Sequence, residues 1–173
     1  MANRVSAFVV QHGEGEQIRG PAGGPTTIKA RAETTNGTFT ALENTVAPRQ
    51  GPPLHIHVRE DEMYYVLEGH LRFKADEQFL DAPAGSFVFI PRGTPHCFQN
   101  VGEHPARILV MFTPAGMERF FEGHAALPAG PPDLDAYRAV AHSAWMEVVG
   151  GPLSEPDSIV TAAPTPDRKG EVT

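Results

Sequence analysis

Two separated segments constrain this chain more than anything else in it: Gly51-Pro-Pro-Leu-His55-Ile-His57-Val-Arg-Glu-Asp-Glu62 and Gly85-Ser-Phe-Val-Phe-Ile-Pro91-Arg-Gly93-Thr-Pro-His96-Cys-Phe-Gln-Asn100. His55 and His57 are two residues apart, a spacing that sets both imidazoles on one face of a strand. Glu62 follows five residues after His57, enough for the chain to bend and begin a second strand through Glu68. His96 lies 34 residues beyond Glu62 and joins the others only through tertiary folding. Brought together, three neutral imidazoles and a carboxylate form a nitrogen- and oxygen-rich site. Such a set suits Fe, Mn, Co, Ni, Cu or Zn as divalent ions better than it suits thiolate-seeking metals.

Around these segments the sequence reads as short strands cut by turns. With 17 glycines and 17 prolines in 173 residues, turns are favoured over long helices. Strands are expected over 4–12, 26–31, 37–46, the His-x-His segment, 62–67, 71–75, 78–81, 86–91, 97–100 and 106–112. Residues 20–25 read as a loop and Glu68-Gly69-His70 as a hairpin turn. A regular series of this kind argues for an all-β sandwich or barrel. After Gly116 the character changes. Met117–Glu122 reads as a short amphipathic helix, and Leu134–Trp145 as a second helix capped by Asp133. Both are expected to pack on the mouth or the outer face of the barrel. Residues 154–173, rich in Pro, Thr, Ala and charge, are expected to form a flexible tail. The length fits one domain over 1–153, with a barrel core near 37–113 and a helical segment near 114–150.

The two segments resemble the cupin family. Gly51, His55, His57, Glu62 and Gly69 follow its first motif, with a shortened gap between Gly51 and His55. Gly85, Pro91, Gly93, His96 and Asn100 fit its second motif at every spacing. The resemblance implies a double-stranded β-helix, a jelly-roll barrel, with short C-terminal helices added here. It implies His55, His57, Glu62 and His96 as ligands of one divalent transition metal ion per chain. Asp61 is a rival ligand, because the family permits three or four spacer residues. Glu62 alone sits six residues before Gly69.

Other residues acquire roles from this frame. Glu62 is either a permanent ligand or a mobile general base that accepts a substrate proton. By the period of two, Tyr64 and Val66 share its inward face, and Phe98 shares that of His96. All three are pocket-lining candidates, and the hydroxyl of Tyr64 makes it the second catalytic candidate. Phe39, Phe73, Phe87, Phe89 and Met111 belong to core or pocket wall. Asn100 is expected to stabilise a turn and Cys97 to be a small buried apolar residue. Glu60 and Asp61 are expected to face solvent, as are His12, His70, His104, His124 and His142, which have no partner spacing.

A formal charge of −7 excludes neither catalysis nor small-molecule binding, but it argues against nucleic acid and against an anionic membrane surface. No apolar run approaches the ~20 residues of a membrane helix. One cysteine permits no intrachain disulfide, and a cytoplasmic protein is expected. Apolar and aromatic strands around the site point to a small, flat organic substrate. The C-terminal segment also resembles quercetinase-type cupins. That resemblance implies a metal-dependent dioxygenase that cleaves a flavonol or related enol with O2. The alternatives are a metal-dependent cyclase or isomerase in polyketide tailoring, and a non-catalytic ligand-binding cupin. A homodimer paired through an edge strand at 4–12 is expected.

Overall fold

The structure is a computed structural model in which residues 5–130 and 133–154 are described. Eleven strands run in chain order among them: β1 (Glu16–Arg19), β2 (Gly23–Ala30), β3 (Thr40–Val46), β4 (His55–His57), β5 (Asp61–Glu68), β6 (His70–Ala75), β7 (Gln78–Pro83), β8 (Phe87–Ile90), β9 (His96–Asn100), β10 (Ala106–Thr113) and β11 (Met146–Val148). They form two antiparallel sheets. One has the order β1-β2-β3-β10-β5-β8, the other β11-β4-β9-β6-β7. This is the double-stranded β-helix that the sequence led us to expect.

Alternation assembles the core. In β10, Ala106, Ile108, Val110 and Phe112 point inward, while Arg107, Leu109 and Met111 point away from it. The inner face of β5 contributes Glu62, Tyr64 and Val66, and β6 adds Leu71 and Phe73. Burying a large apolar side chain contributes about 1.5–3 kcal/mol, so this two-sheet interior dominates stability. Phe73 is fully buried, whereas Phe39, Phe87 and Phe89 are exposed, so these last three belong neither to the core nor to the cavity beside the four candidate ligands. In β8 the inward positions are taken by Val88 and Ile90, which leaves both phenylalanines on the outer face.

The N-terminal expectations need correction. Residues 5–11 carry no strand, where one was expected over 4–12. The first hairpin lies later, with Arg19 opposite Pro25, and β2 starts inside the segment read as a loop. Glycine and proline there serve close packing, since a Cβ on Gly24 would stand 2.5 Å from the Thr45 carbonyl oxygen. A four-residue helix, α1 (Ala32–Thr35), was not foreseen.

The C-terminal helices are α2 (Glu118–Ala126) and α3 (Leu134–Ser143). Asp133 caps α3 as expected, its Oδ1 accepting from the backbone N–H of Asp135 at 2.9 Å and of Ala136 at 3.3 Å. The guanidinium of Arg19 holds the other end of α2, donating to the carbonyls of His124, Ala125, Leu127 and Pro128. α3 ends before Trp145, whose φ of 60° turns the chain into β11. β11 then pairs with β4, setting Met146 opposite His57 and Val148 opposite His55. Sequence periodicity missed this strand because three residues show no alternation and the pairing is long-range. The expected tail lies, from residue 155 onward, outside the described residues. Among the described residues no helix is long and apolar enough to cross a membrane.

Candidate metal centre

Three strands deliver the site. β4 presents His55 and His57 on one face, β5 presents Glu62 as its second residue, and β9 begins with His96. Two glycines make this geometry possible. A Cβ on Gly51 would stand 1.8 Å from the Phe98 carbonyl oxygen, so only glycine lets the chain approach β9 before turning into β4. Gly93 takes a φ of +83°, and its N–H donates to the His57 carbonyl at 2.9 Å. The turn that launches His96 is thus tied to the strand that carries His57. Asn100 closes the far end, donating to the carbonyls of Val46 and His104 and accepting from Gly102 N–H. This is the turn-stabilising role expected of it.

The four side chains converge and are all buried, with their donor atoms within 4.8 Å of one another. His96 Nε2 lies 2.7 Å from Glu62 Oε2, and His57 Nε2 lies 3.1 Å from the same oxygen. Four donors about 2.1 Å from one ion stand roughly 3–4 Å apart, so the set fits a transition metal. Asp61, the rival ligand, does not join: its carboxylate is held by Arg92 through Nε at 3.0 Å and Nη2 at 2.9 Å. Those bonds hold its carboxyl down at about 2.

Ring orientation supports the same assignment. His55 Nδ1 faces the Pro53 carbonyl at 2.8 Å and His96 Nδ1 faces the Thr94 carbonyl at 2.9 Å. Each bond assigns a proton to Nδ1, so Nε2 is the nitrogen that would ligate a metal, in His96 by giving up the proton it shares with Glu62. The sequence did not name these partners, which are backbone atoms two residues upstream. His57 is buried with neither ring nitrogen hydrogen-bonded, an arrangement that a bound cation would relieve.

Electrostatics follow from burial. Desolvation, then the nearby His96 and His57, push His55 well below its ordinary value, so it stays in the neutral, ligating form. Burial pushes Glu62 up, yet the neighbouring His57 and the hydrogen bond from His96 outweigh it and hold the carboxyl well below the usual range. For His96 burial acts downward, but the bond to Glu62 and its charge prevail and raise it. Burial, together with Glu62, raises the Tyr64 phenol well above its ordinary value, so Tyr64 remains a neutral donor.

Above these residues lies a cavity of about 40 Å³, room for little more than a water or two. Its wall includes Tyr64 and Phe98 as expected, whereas Val66 belongs to the core. It also includes Phe120 and Phe121 of α2, Tyr137 of α3 and Met146 of β11. The helices therefore cover the mouth of the barrel, one of the two positions foreseen for them. Sequence reading missed Asn44, an amide set between inward-facing Leu42 and Val46 on β3; an asparagine at an inward apolar position was the available signal. Glu60 also departs from expectation, being buried at 1% exposure, and that burial raises its carboxyl. His124 is half-buried, its ring packed near Phe120 and Tyr137, and His70 is half-buried beside Asp81; His12, His104 and His142 are exposed as expected.

Residues 43–112 match the family model described as a cupin domain. A polyketide synthase protein, CurC, of Streptomyces cyaneus is 30% identical over 102 residues, 58% of this chain and 66% of that protein. An uncharacterized protein, MJ1618, of Methanocaldococcus jannaschii is 38% identical over 56 residues, 32% of this chain and 45% of that protein. The chain therefore spans about half to two thirds of the length of these curated relatives. Among solved structures, an RmlC-like cupin from Shewanella frigidimarina superposes with a TM-score of 0.56 at 18% identity, covering 65% of this chain and 96% of that one. Together these findings support the cupin superfamily.

Proposed function

We propose, on the premise that residues 43–112 form a cupin domain, that this protein is a metal-dependent enzyme acting on an enolisable, largely apolar organic substrate. The leading reaction is dioxygenation of a flavonol-type enol. The observation that supports it is the convergence of His55, His57, Glu62 and His96 beneath a wall of aromatic side chains. His55, His57, Glu62 and His96 would hold one divalent transition ion. That ion would supply Lewis acidity, lowering the pKa of a substrate hydroxyl and orienting the substrate.

In this reading Glu62 is the base that accepts the hydroxyl proton. Its carboxyl is low while His96 is charged, which makes it a weak base. With the imidazoles neutral, as ligation requires, their charges no longer lower it, while the bound dication would keep it ionised and able to accept a proton. Tyr64, held neutral by burial, donates a hydrogen bond beside it. Phe98, Phe112, Phe120 and Phe121 exclude water from the resulting enolate. The enolate then reacts with O2, a ring C–C bond breaks, and both oxygen atoms end in the products.

A flavonol exceeds the closed cavity many times over, so α2 and α3 must swing outward to admit it. The second reading, an O2-independent cyclisation or isomerisation, is favoured by the relative described as a polyketide synthase protein. It uses the same carboxylate and the same aromatic wall. One assay separates the two. Protein loaded separately with Fe(II), Mn(II), Co(II) or Ni(II) is mixed with quercetin while absorbance and O2 are followed. Bleaching coupled to O2 uptake supports dioxygenation. Product formed without O2 uptake supports the second reading, and saturable binding without turnover defeats both in favour of a ligand-binding role.

A further inference from the structure

We infer that Asn44 is the specificity-determining residue of the cavity, its side-chain carbonyl accepting a hydrogen bond from a substrate hydroxyl remote from the metal-binding end. This inference rests on the flavonol-type reading above. Asn44 projects from β3 into the barrel between Leu42 and Val46, opposite Ile108 on one neighbouring strand and Thr26 on the other. It is 7% exposed, and its Oδ1 has no hydrogen-bond partner among the described residues. The other polar groups lining the cavity are His55, His57, Glu62 and the phenols of Tyr64 and Tyr137. The histidines and Glu62 are committed to the metal centre. Asn44 is therefore a free acceptor on a wall otherwise built from Ala22, Val110, Phe112 and Met117.

An orphaned buried carbonyl is destabilising, and an apolar residue of similar shape removes that cost. A purely structural position would favour leucine, as at Leu42 two residues away. An amide here is explained by a ligand that supplies the missing donor. A site built around such a group rejects analogues lacking the hydroxyl, because binding them leaves the acceptor buried and unpaired.

The test compares quercetin with 3-hydroxyflavone. Both carry the hydroxy-ketone end, but only quercetin carries further ring hydroxyls. Binding of each to Ni(II)-loaded protein is measured without O2 by calorimetry, for wild type, Asn44→Leu and Asn44→Asp. The inference expects wild type to prefer quercetin by about 10-fold or more, the worth of one good hydrogen bond in a dry site. Asn44→Leu should bring the two probes within about twofold while retaining its metal and melting no lower than wild type. Asn44→Asp, which keeps an oxygen acceptor, should keep the preference. Should Asn44→Leu fail to fold, Asn44→Ala carries the same comparison. An undiminished preference in the leucine or alanine variant overturns the role of Asn44 alone, as does a wild type indifferent to the two probes. A metal-loaded wild type that binds neither probe overturns the flavonol reading and this inference together.

Discussion

His55 and His96 stand directly opposite each other between β4 and β9, their ring centroids 4.3 Å apart. Each ring is fixed by the same device, an Nδ1 set against the carbonyl two residues upstream. The distance between the two donors is therefore set by the register of one strand pair. Because β11 holds the other edge of β4, the C-terminal segment supports the site from behind.

Metal retention should depend on both members of that pair. Wild-type protein is expected to bind one divalent transition ion per chain and to gain about 4 kcal/mol of stability at a thousandfold excess over the dissociation constant. His55→Ala and His96→Ala should lose most of that gain, whereas His104→Ala, at an exposed position, should keep it. Elemental analysis and thermal melts with and without metal read both effects. Equal metal content in all four proteins would refute the assignment.

The pH dependence of stability should carry the signature of Glu118. This buried carboxylate at the start of α2 accepts from Ala32 N–H at 2.9 Å, from Gly116 N–H at 3.1 Å and from the Thr40 hydroxyl. Burial pushes its carboxyl up, but those three bonds outweigh burial and hold it below its ordinary value. A carboxyl lowered on folding stabilises the protein above its unfolded pKa, near 4.3, and that contribution is lost as pH falls through the folded value. Glu118→Gln should therefore melt lower at pH 7, by about 2 kcal/mol for a charge-assisted network. The gap should narrow below about pH 4. A gap that stays constant down to pH 3 would show that the charge plays no part.

What was legible in the sequence follows a physical division. The strands carrying His55, His57, Glu62 and His96 were readable because each has local alternation or fixed motif spacing. The hairpin of Glu16 to Ala30 was displaced because Gly20 to Pro25 mimic a loop while packing closely against β3. β11 was invisible because its signal is a partner strand nearly ninety residues away, not a pattern within itself. Glu60 defeated the simple solvent reading because the bend between β4 and β5 turns it inward, although it lies two residues from a ligand. The cover over the cavity depends on how Phe120 meets Tyr137, which is set by packing between two helices and is not written in the period of either.

That cover should control access. Phe120 packs at 5.2 Å from Phe121 and 5.6 Å from Tyr137, centroid to centroid, and all three line the cavity. Phe120→Ala should cost about 3–4 kcal/mol, leave metal content unchanged and speed quercetin association, since it opens space above the site without touching a ligand. Tyr137→Phe keeps the packing and should do neither. Stopped-flow fluorescence and thermal melts distinguish the two variants. An association rate unchanged in Phe120→Ala would mean that substrate enters by another route.

The motif glycines should separate into two classes. Gly51 is required by a close approach: an added Cβ would lie 1.8 Å from the Phe98 oxygen and 2.8 Å from its carbonyl carbon, both backbone atoms that cannot yield. Gly51→Ala must push β9 away from the segment leading into β4, which separates His96 from His55, so loss of metal binding is expected along with at least about 3 kcal/mol of stability. Gly85 is required only by conformation. Its φ is +88° and a Cβ there would meet nothing within 4 Å. Gly85→Ala should cost about 1 kcal/mol from the left-handed backbone and leave metal affinity intact. Comparing the two by denaturant titration and metal analysis tests whether the first motif glycine acts through space and the second through its dihedral angle; equal losses in both variants would contradict that division.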